Sequence, residues 1–124
     1  MKRKFVRSER FSSFRFALAG LRYLLVSEPN SRIHLAITIL VAAAGLFFRL
    51  ALNEWRWIIL AIALVWLSEA FNTAIERLGD AVTDEPHPQI GLAKDVAAAA
   101  VMFAVIGAAA IGISVFGPHL IGSL

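Results

Sequence analysis

Residues 57–67, WIILAIALVWL, are uncharged and oily, and they run without a turn signal into 68–76, SEAFNTAIE. At 100° per residue, Glu69 and Glu76 return to nearly the same helix face, about 10 Å apart along the axis. Asn72 falls one turn beyond Glu69 and Asp80 one turn beyond Glu76, so four polar groups form one stripe on an otherwise apolar helix. An ionisable group at membrane depth costs about 2.5–3.5 kcal/mol on insertion scales and is a functional-site hypothesis by default. The stripe is therefore expected to carry chemistry.

The rest of the chain supports a membrane setting. Of its 124 residues 59% are hydrophobic, and the mean hydropathy of +0.73 is too high for a soluble domain of this length. A single all-α integral membrane domain over residues 1–124 is expected. No secretory signal is expected, since the apolar run after the basic N-terminus begins only near Ile33 and has no small-residue cleavage site. The lack of cysteine excludes disulfides, thiolate metal ligands and a cysteine nucleophile. Eight of the twelve basic residues (Lys2, Arg3, Lys4, Arg7, Arg10, Arg15, Arg22 and Arg32) precede the first long apolar run. Such a stretch could bind nucleic acid. Beside so much membrane-grade sequence, a cytoplasmic, lipid-facing surface is the better reading, with no nucleic-acid partner.

Phe11, Phe14, Leu18, Leu21 and Leu25 recur at helical spacing with Arg15 and Arg22 on another face, which predicts an amphipathic surface helix over about 5–28. Ser27 to Asn30, with Pro29, is expected to end it. Membrane spans are expected over about 32–52, 55–80 and 91–116. Arg49 would snorkel from the first, and Asn53-Glu54 would form the turn that follows, beside an aromatic belt of Trp55 and Trp57. Residues 84–88 read as a loop because two prolines and adjacent acids cannot continue a helix. A cytoplasmic N-terminus then puts the Asn53 turn and the C-terminus outside and the Pro86 loop inside. Glu28, Glu76, His87, Lys94 and Asp95 would all collect at the cytoplasmic interface. The last span is rich in alanine and glycine, either as ordinary membrane-helix content or as a face for helix association. Three helices enclose a polar site poorly, which favours an oligomer.

No Walker A sequence, glycine-rich nucleotide loop or kinase catalytic loop is present. Glu28 and Glu76 could share a hard cation such as Mg²⁺, which keeps waters and substrate phosphates as its other ligands. Lys94 could pair with a phosphate, or it and Asp95 could merely snorkel and cap. Glu69 could accept a proton from a lipid alcohol, or hydrogen-bond a neighbouring helix. His34 reads as an interfacial histidine, His87 as a candidate for polar work, and His119 as belonging to the opposite side.

Together, Glu69-Ala-Phe-Asn72-Thr73-Ala74-Ile75-Glu76, Asp80, His87-Pro88 and Ala93-Lys94-Asp95 resemble the signature of the prokaryotic diacylglycerol kinase family, which includes undecaprenol kinases. The resemblance extends to Gly20-Leu21-Arg22, Glu28 and Arg32-Ile33-His34, nearly the whole chain. It implies a surface helix plus three membrane helices in a homotrimer, with active sites between subunits in a bacterial inner membrane. By position, Glu69 resembles the general base, and Glu28 and Glu76 the metal-linked carboxylates. Glu85, His87, Lys94 and Asp95 resemble nucleotide contacts, and Asn72 a polar active-site residue. Phe16 stands near the adenine, where the family often has tyrosine, and Pro86 where some members carry an aromatic. Arg77 and Gly79 replace apolar residues of the signature and are expected to loosen the last turn of its helix.

The implied activity is an ATP- and Mg²⁺-dependent lipid kinase acting on the primary hydroxyl of undecaprenol or diacylglycerol. The Arg-Ile-His and His-Pro segments resemble the undecaprenol branch more. The competing class is a non-catalytic membrane protein, an ion carrier or assembly subunit. A carrier would hold its carboxylates near the bilayer middle on a path open to both sides. Here they gather towards one interface beside a basic residue and a polar loop, which suits a phosphate donor arriving from the cytoplasm.

Overall fold

The structure, a computed structural model, describes residues 9–124. The described residues form four helices and no strand: α1 (Glu9–Ser27), α2 (Pro29–Phe47), α3 (Leu52–Val82) and α4 (Pro88–Gly122). The part of the surface helix expected over 5–8 lies outside the described residues. α2, α3 and α4 are each long and apolar enough to cross a membrane. At 1.5 Å per residue the 31 residues of α3 and the 35 of α4 extend about 46 and 52 Å. The hydrocarbon core is only about 30 Å thick. These two helices are therefore longer than a perpendicular crossing of the oily layer needs.

The chain divides into two compact units, one up to Leu35 and one over Ala36–Leu124, with the boundary inside α2. In the first unit Glu28 alone separates α1 from α2. Pro29 thus opens α2 and does not merely end α1, because a proline at the first helical position gives up an N–H that the helix would leave unpaired anyway. The Glu28 carbonyl accepts from Ser31 N–H at 3.2 Å. Arg32 reaches back to the carbonyls of Leu25 and Val26, a cation on the negative end of the preceding helix. Phe14, Leu18 and Leu21 on α1 are exposed.

In the second unit α3 and α4 are the main packed pair. Leu50, Ile58 and Val115 are buried together, flanked by Val41, Phe48, Trp55, Ile62, Ile111 and Phe116. Trp66 Nε1 donates to Thr38 Oγ1 at 3.0 Å, tying α3 to α2. Most other large apolar side chains, such as Leu46, Phe103 and Ile113, are exposed, as lipid-facing helices require.

The turn between the first two spans is not where the polar pair Asn53-Glu54 suggested. α2 ends at Phe47, and Arg49 takes φ 53° in the left-handed region. Asn53 and Glu54 belong to the first turn of α3, where Glu54 Oε2 accepts from Ala51 N–H at 2.8 Å. A carboxylate three residues into a helix satisfies a backbone donor that would otherwise be orphaned, so the pair starts a helix. α4 similarly begins at Pro88 and continues to Gly122, through Pro118.

Candidate active site

The polar end of the α3–α4 pair is organised around Lys94, in the second turn of α4. Its Nζ donates to Asp80 Oδ1 at 2.6 Å and stands 3.4 Å from Glu76 Oε2. Glu76 and Asp80 are four residues apart on α3 and share a face, so one ammonium meets both. The lysine reaches them because Gly79 is buried at the crossing. A Cβ there would lie 2.8 Å from Ile90 Cγ2 and 3.0 Å from Lys94 Cε. Gly79 does not loosen the last turn of its helix: α3 continues to Val82, and Thr83 N–H closes onto the Gly79 carbonyl at 3.3 Å.

Exposure grades along the stripe. Glu69 is 4% exposed, whereas the side chains of Glu76 and Asp80 are 43% and 59% exposed. The stripe thus runs from a buried carboxylate to solvated ones over three helical turns. Beyond it, an open cavity of about 580 Å³ is lined by Asp80, Thr83, Glu85, His87, Ile90 and Lys94 among others. His87 caps α4, its Nδ1 accepting from Gln89 N–H at 3.2 Å and Ile90 N–H at 3.5 Å. That bond puts the proton of the neutral ring on Nε2. Glu85 N–H donates to Thr83 Oγ1 at 3.1 Å, bending the loop.

A second, mostly apolar groove of about 930 Å³ lies between α3 and α4, with Ser68, Asn72 and Gln89 as polar members and Phe71, Val96 and Phe103 among the apolar ones. The Oδ1 of Asn72 is buried with no hydrogen-bond partner. An orphaned buried acceptor is costly and calls for a donor or cation from elsewhere.

The structure thus brings Glu76, Glu85, His87 and Lys94 to one end of the α3–α4 pair, with Asn72 one turn below Glu76 and Glu69 buried on the same helix. Asp95 is exposed and lies beside Lys94 in sequence but lines neither cavity. Phe16 and Glu28 belong to the first unit. Phe16 is exposed, and Glu28 Oε1 accepts from Tyr23 Oη at 3.4 Å. Among the described residues no three His, Asp or Glu side chains come together to hold a metal ion. What this end does offer is hard oxygen donors, the half-exposed Glu76 carboxylate beside Lys94 and, one helical turn away, the unpartnered Asn72 oxygen. This fits Mg²⁺, an ion usually bound by one or two carboxylates plus substrate phosphates and waters.

Two residues escaped the sequence reading. Asp80 belongs to the stripe expected to carry chemistry but has no role assigned by its sequence position, although it makes the shortest contact to Lys94. Gly79 read as a weakness and is a close-approach position. Neither role is visible in one helix, since both depend on where α4 crosses α3.

A family model described as prokaryotic diacylglycerol kinase matches residues 15–116, which include every candidate site residue. The chain is 40% identical over 111 residues to the undecaprenol kinase of Bacillus subtilis (strain 168), covering 89% of each protein. It is 33% identical over 110 residues to the diacylglycerol kinase of Synechocystis sp., covering 88% of this chain and 63% of that protein.

Proposed function

The chain belongs to the prokaryotic diacylglycerol kinase family and is a membrane lipid kinase, and from that premise we propose that it moves the γ-phosphate of ATP, with Mg²⁺, to the primary hydroxyl of undecaprenol. The higher identity to an undecaprenol kinase than to a diacylglycerol kinase supports this choice of acceptor. The idea of a non-catalytic carrier or assembly subunit falls with family membership.

The observation that carries the mechanism is a buried carboxylate, Glu69, two turns from the Lys94-bound Glu76 on one helix. Glu69 takes the proton of the lipid hydroxyl. The freed oxygen forms a bond to the γ-phosphorus as the bond to the β–γ bridging oxygen breaks, and ADP leaves. Lys94 meets the phosphate charge, and Asn72 donates or accepts beside it. Glu76 and Glu28 are the carboxylates that would hold Mg²⁺, and the ion would supply charge neutralisation at the phosphates. Glu85, His87 and Asp95 contact the nucleotide, and Phe16 stacks near the adenine. We place the N-terminus in the cytoplasm of a bacterial inner membrane and the active unit in a homotrimer whose sites lie between subunits.

The test is transfer from γ-labelled ATP by protein purified into lipid, with undecaprenol and diacylglycerol side by side. Mg²⁺-dependent labelling with undecaprenol the faster acceptor is expected. Faster labelling of diacylglycerol reverses the acceptor, and labelling of neither defeats the proposal.

A further inference from the structure

We propose that Asp80 is a positioning residue for the phosphate-facing Lys94, with Gly79 as the gap that lets the two meet; this rests on the lipid-kinase reading above. A lysine ammonium carries three N–H donors on a flexible four-carbon stem. Unanchored, it would spread over many rotamers and meet a phosphate only part of the time. Here the two carboxylates hold it unequally. Asp80 Oδ1 is at 2.6 Å, whereas Glu76 Oε2 is at 3.4 Å, the edge of hydrogen-bond range.

The inequality has a consequence for how the site loads. Glu76 can turn its carboxylate to a cation while Lys94 keeps its anchor on Asp80. One N–H is then spent on Asp80 and the others are presented beside Glu76. Were Glu76 the tight partner, metal binding would compete directly with lysine placement. The Asp80 side chain is 59% exposed, and an ion pair this open adds little stability. Its effect therefore lies in where it puts the ammonium. Gly79 serves the same end, since a Cβ there would press on Lys94 Cε and Ile90 Cγ2.

Two measurements on the full-length protein in detergent or lipid test this. One is binding of a non-hydrolysable ATP analogue with Mg²⁺ and no lipid acceptor, and the other is steady-state kinetics with acceptor present. Asp80→Asn should weaken analogue binding and raise the KM for Mg·ATP by about 10- to 100-fold, as expected for a misplaced charge. The kcat at saturating nucleotide should stay within about threefold, since the groups around the lipid hydroxyl are untouched. Asp80→Glu should recover part of the loss. Gly79→Ala should reproduce it without altering any charge, which keeps the test decisive if the Asn variant folds poorly. In a Lys94→Met background, Asp80→Asn should add nothing, because the two act as one unit. Unchanged analogue binding in both Asp80→Asn and Gly79→Ala, or an equal loss with and without Lys94, overturns the proposal. A wild-type protein that binds the analogue yet phosphorylates no lipid defeats the kinase reading instead, and the binding ratio still decides Asp80.

Discussion

The two ends of the α3–α4 pair hold charged side chains to different purposes. At one end His119 Nε2 lies 2.9 Å from Glu54 Oε1, with the imidazole 5.7 Å from the Phe48 ring. Leu50, Ile58 and Val115 are packed as the core of this unit. Glu54 also caps α3 through Ala51 N–H, so its two oxygens are both occupied in holding the fold. At the other end the groups are not used up. Lys94 is shared between two carboxylates, and a buried Asn72 oxygen lacks a partner. Polar groups that close their own hydrogen bonds stabilise; polar groups kept waiting are available to a substrate.

The largest effect on activity should come from Glu69, the buried carboxylate of the stripe at this end. Glu69→Gln keeps the shape of the side chain but cannot take a proton. We expect turnover to fall by about 100- to 10,000-fold, the usual worth of a positioned general base, with a cooperative thermal unfolding transition in detergent retained. The readout is labelled-phosphate transfer at saturating lipid and Mg·ATP beside a thermal unfolding curve. Near-normal turnover would remove the base assignment and leave phosphoryl transfer to rely on positioning and charge alone.

The sequence was most legible where one helix suffices. A 100° period identifies the Glu69–Asp80 stripe, and three apolar runs identify the spans. It was less legible where a side chain acts across a gap. Asn53-Glu54 looked like a turn because turns are polar, yet Glu54 reaches back to start α3. Gly79 looked like a flaw because glycine weakens an isolated helix, yet it makes room for Lys94. His119 was read as belonging to the opposite side with no role, and its contact to Glu54 spans 65 residues of sequence. No pattern within either segment announces that pairing.

At the packed end the expected effect is smaller and falls on stability. Gly45 is buried, and a Cβ there would lie 2.5 Å from Trp55 Cη2 and 2.8 Å from Cζ2. The indole is itself packed against the core cluster, so it has little room to retreat. Gly45→Val should destabilise by about 1–3 kcal/mol, the range for overpacking. Thermal unfolding in detergent should show the loss, while phosphate transfer per folded molecule is unchanged. A drop in specific activity without a drop in melting temperature would mean that the two ends are coupled.

The smallest effect should be a gain, at the turn joining α2 to α3. Leu50 N–H donates to the Gly45 carbonyl at 3.1 Å and Arg49 N–H to the Leu46 carbonyl at 3.2 Å. This is the paired 6→1 and 5→2 closure of a Schellman motif, and Leu50 is buried with Ile58 and Val115. The motif needs a left-handed residue, and here that residue is Arg49, at φ 53°. A side chain at this φ costs about 1–2 kcal/mol that glycine does not incur. Glycine gives back roughly 0.5–1 kcal/mol through the greater freedom of its unfolded chain. Arg49→Gly should therefore stabilise by about 0.5–1 kcal/mol, a rise of roughly 2–4 °C in melting temperature for a chain of this length. Arg49→Ala is the control, since it removes the guanidinium but keeps the strained Cβ and should show no gain. If both variants are less stable than the wild type, the arginine side chain contributes more at the membrane interface than its backbone strain costs. Gain in Gly alone would place the cost in the backbone.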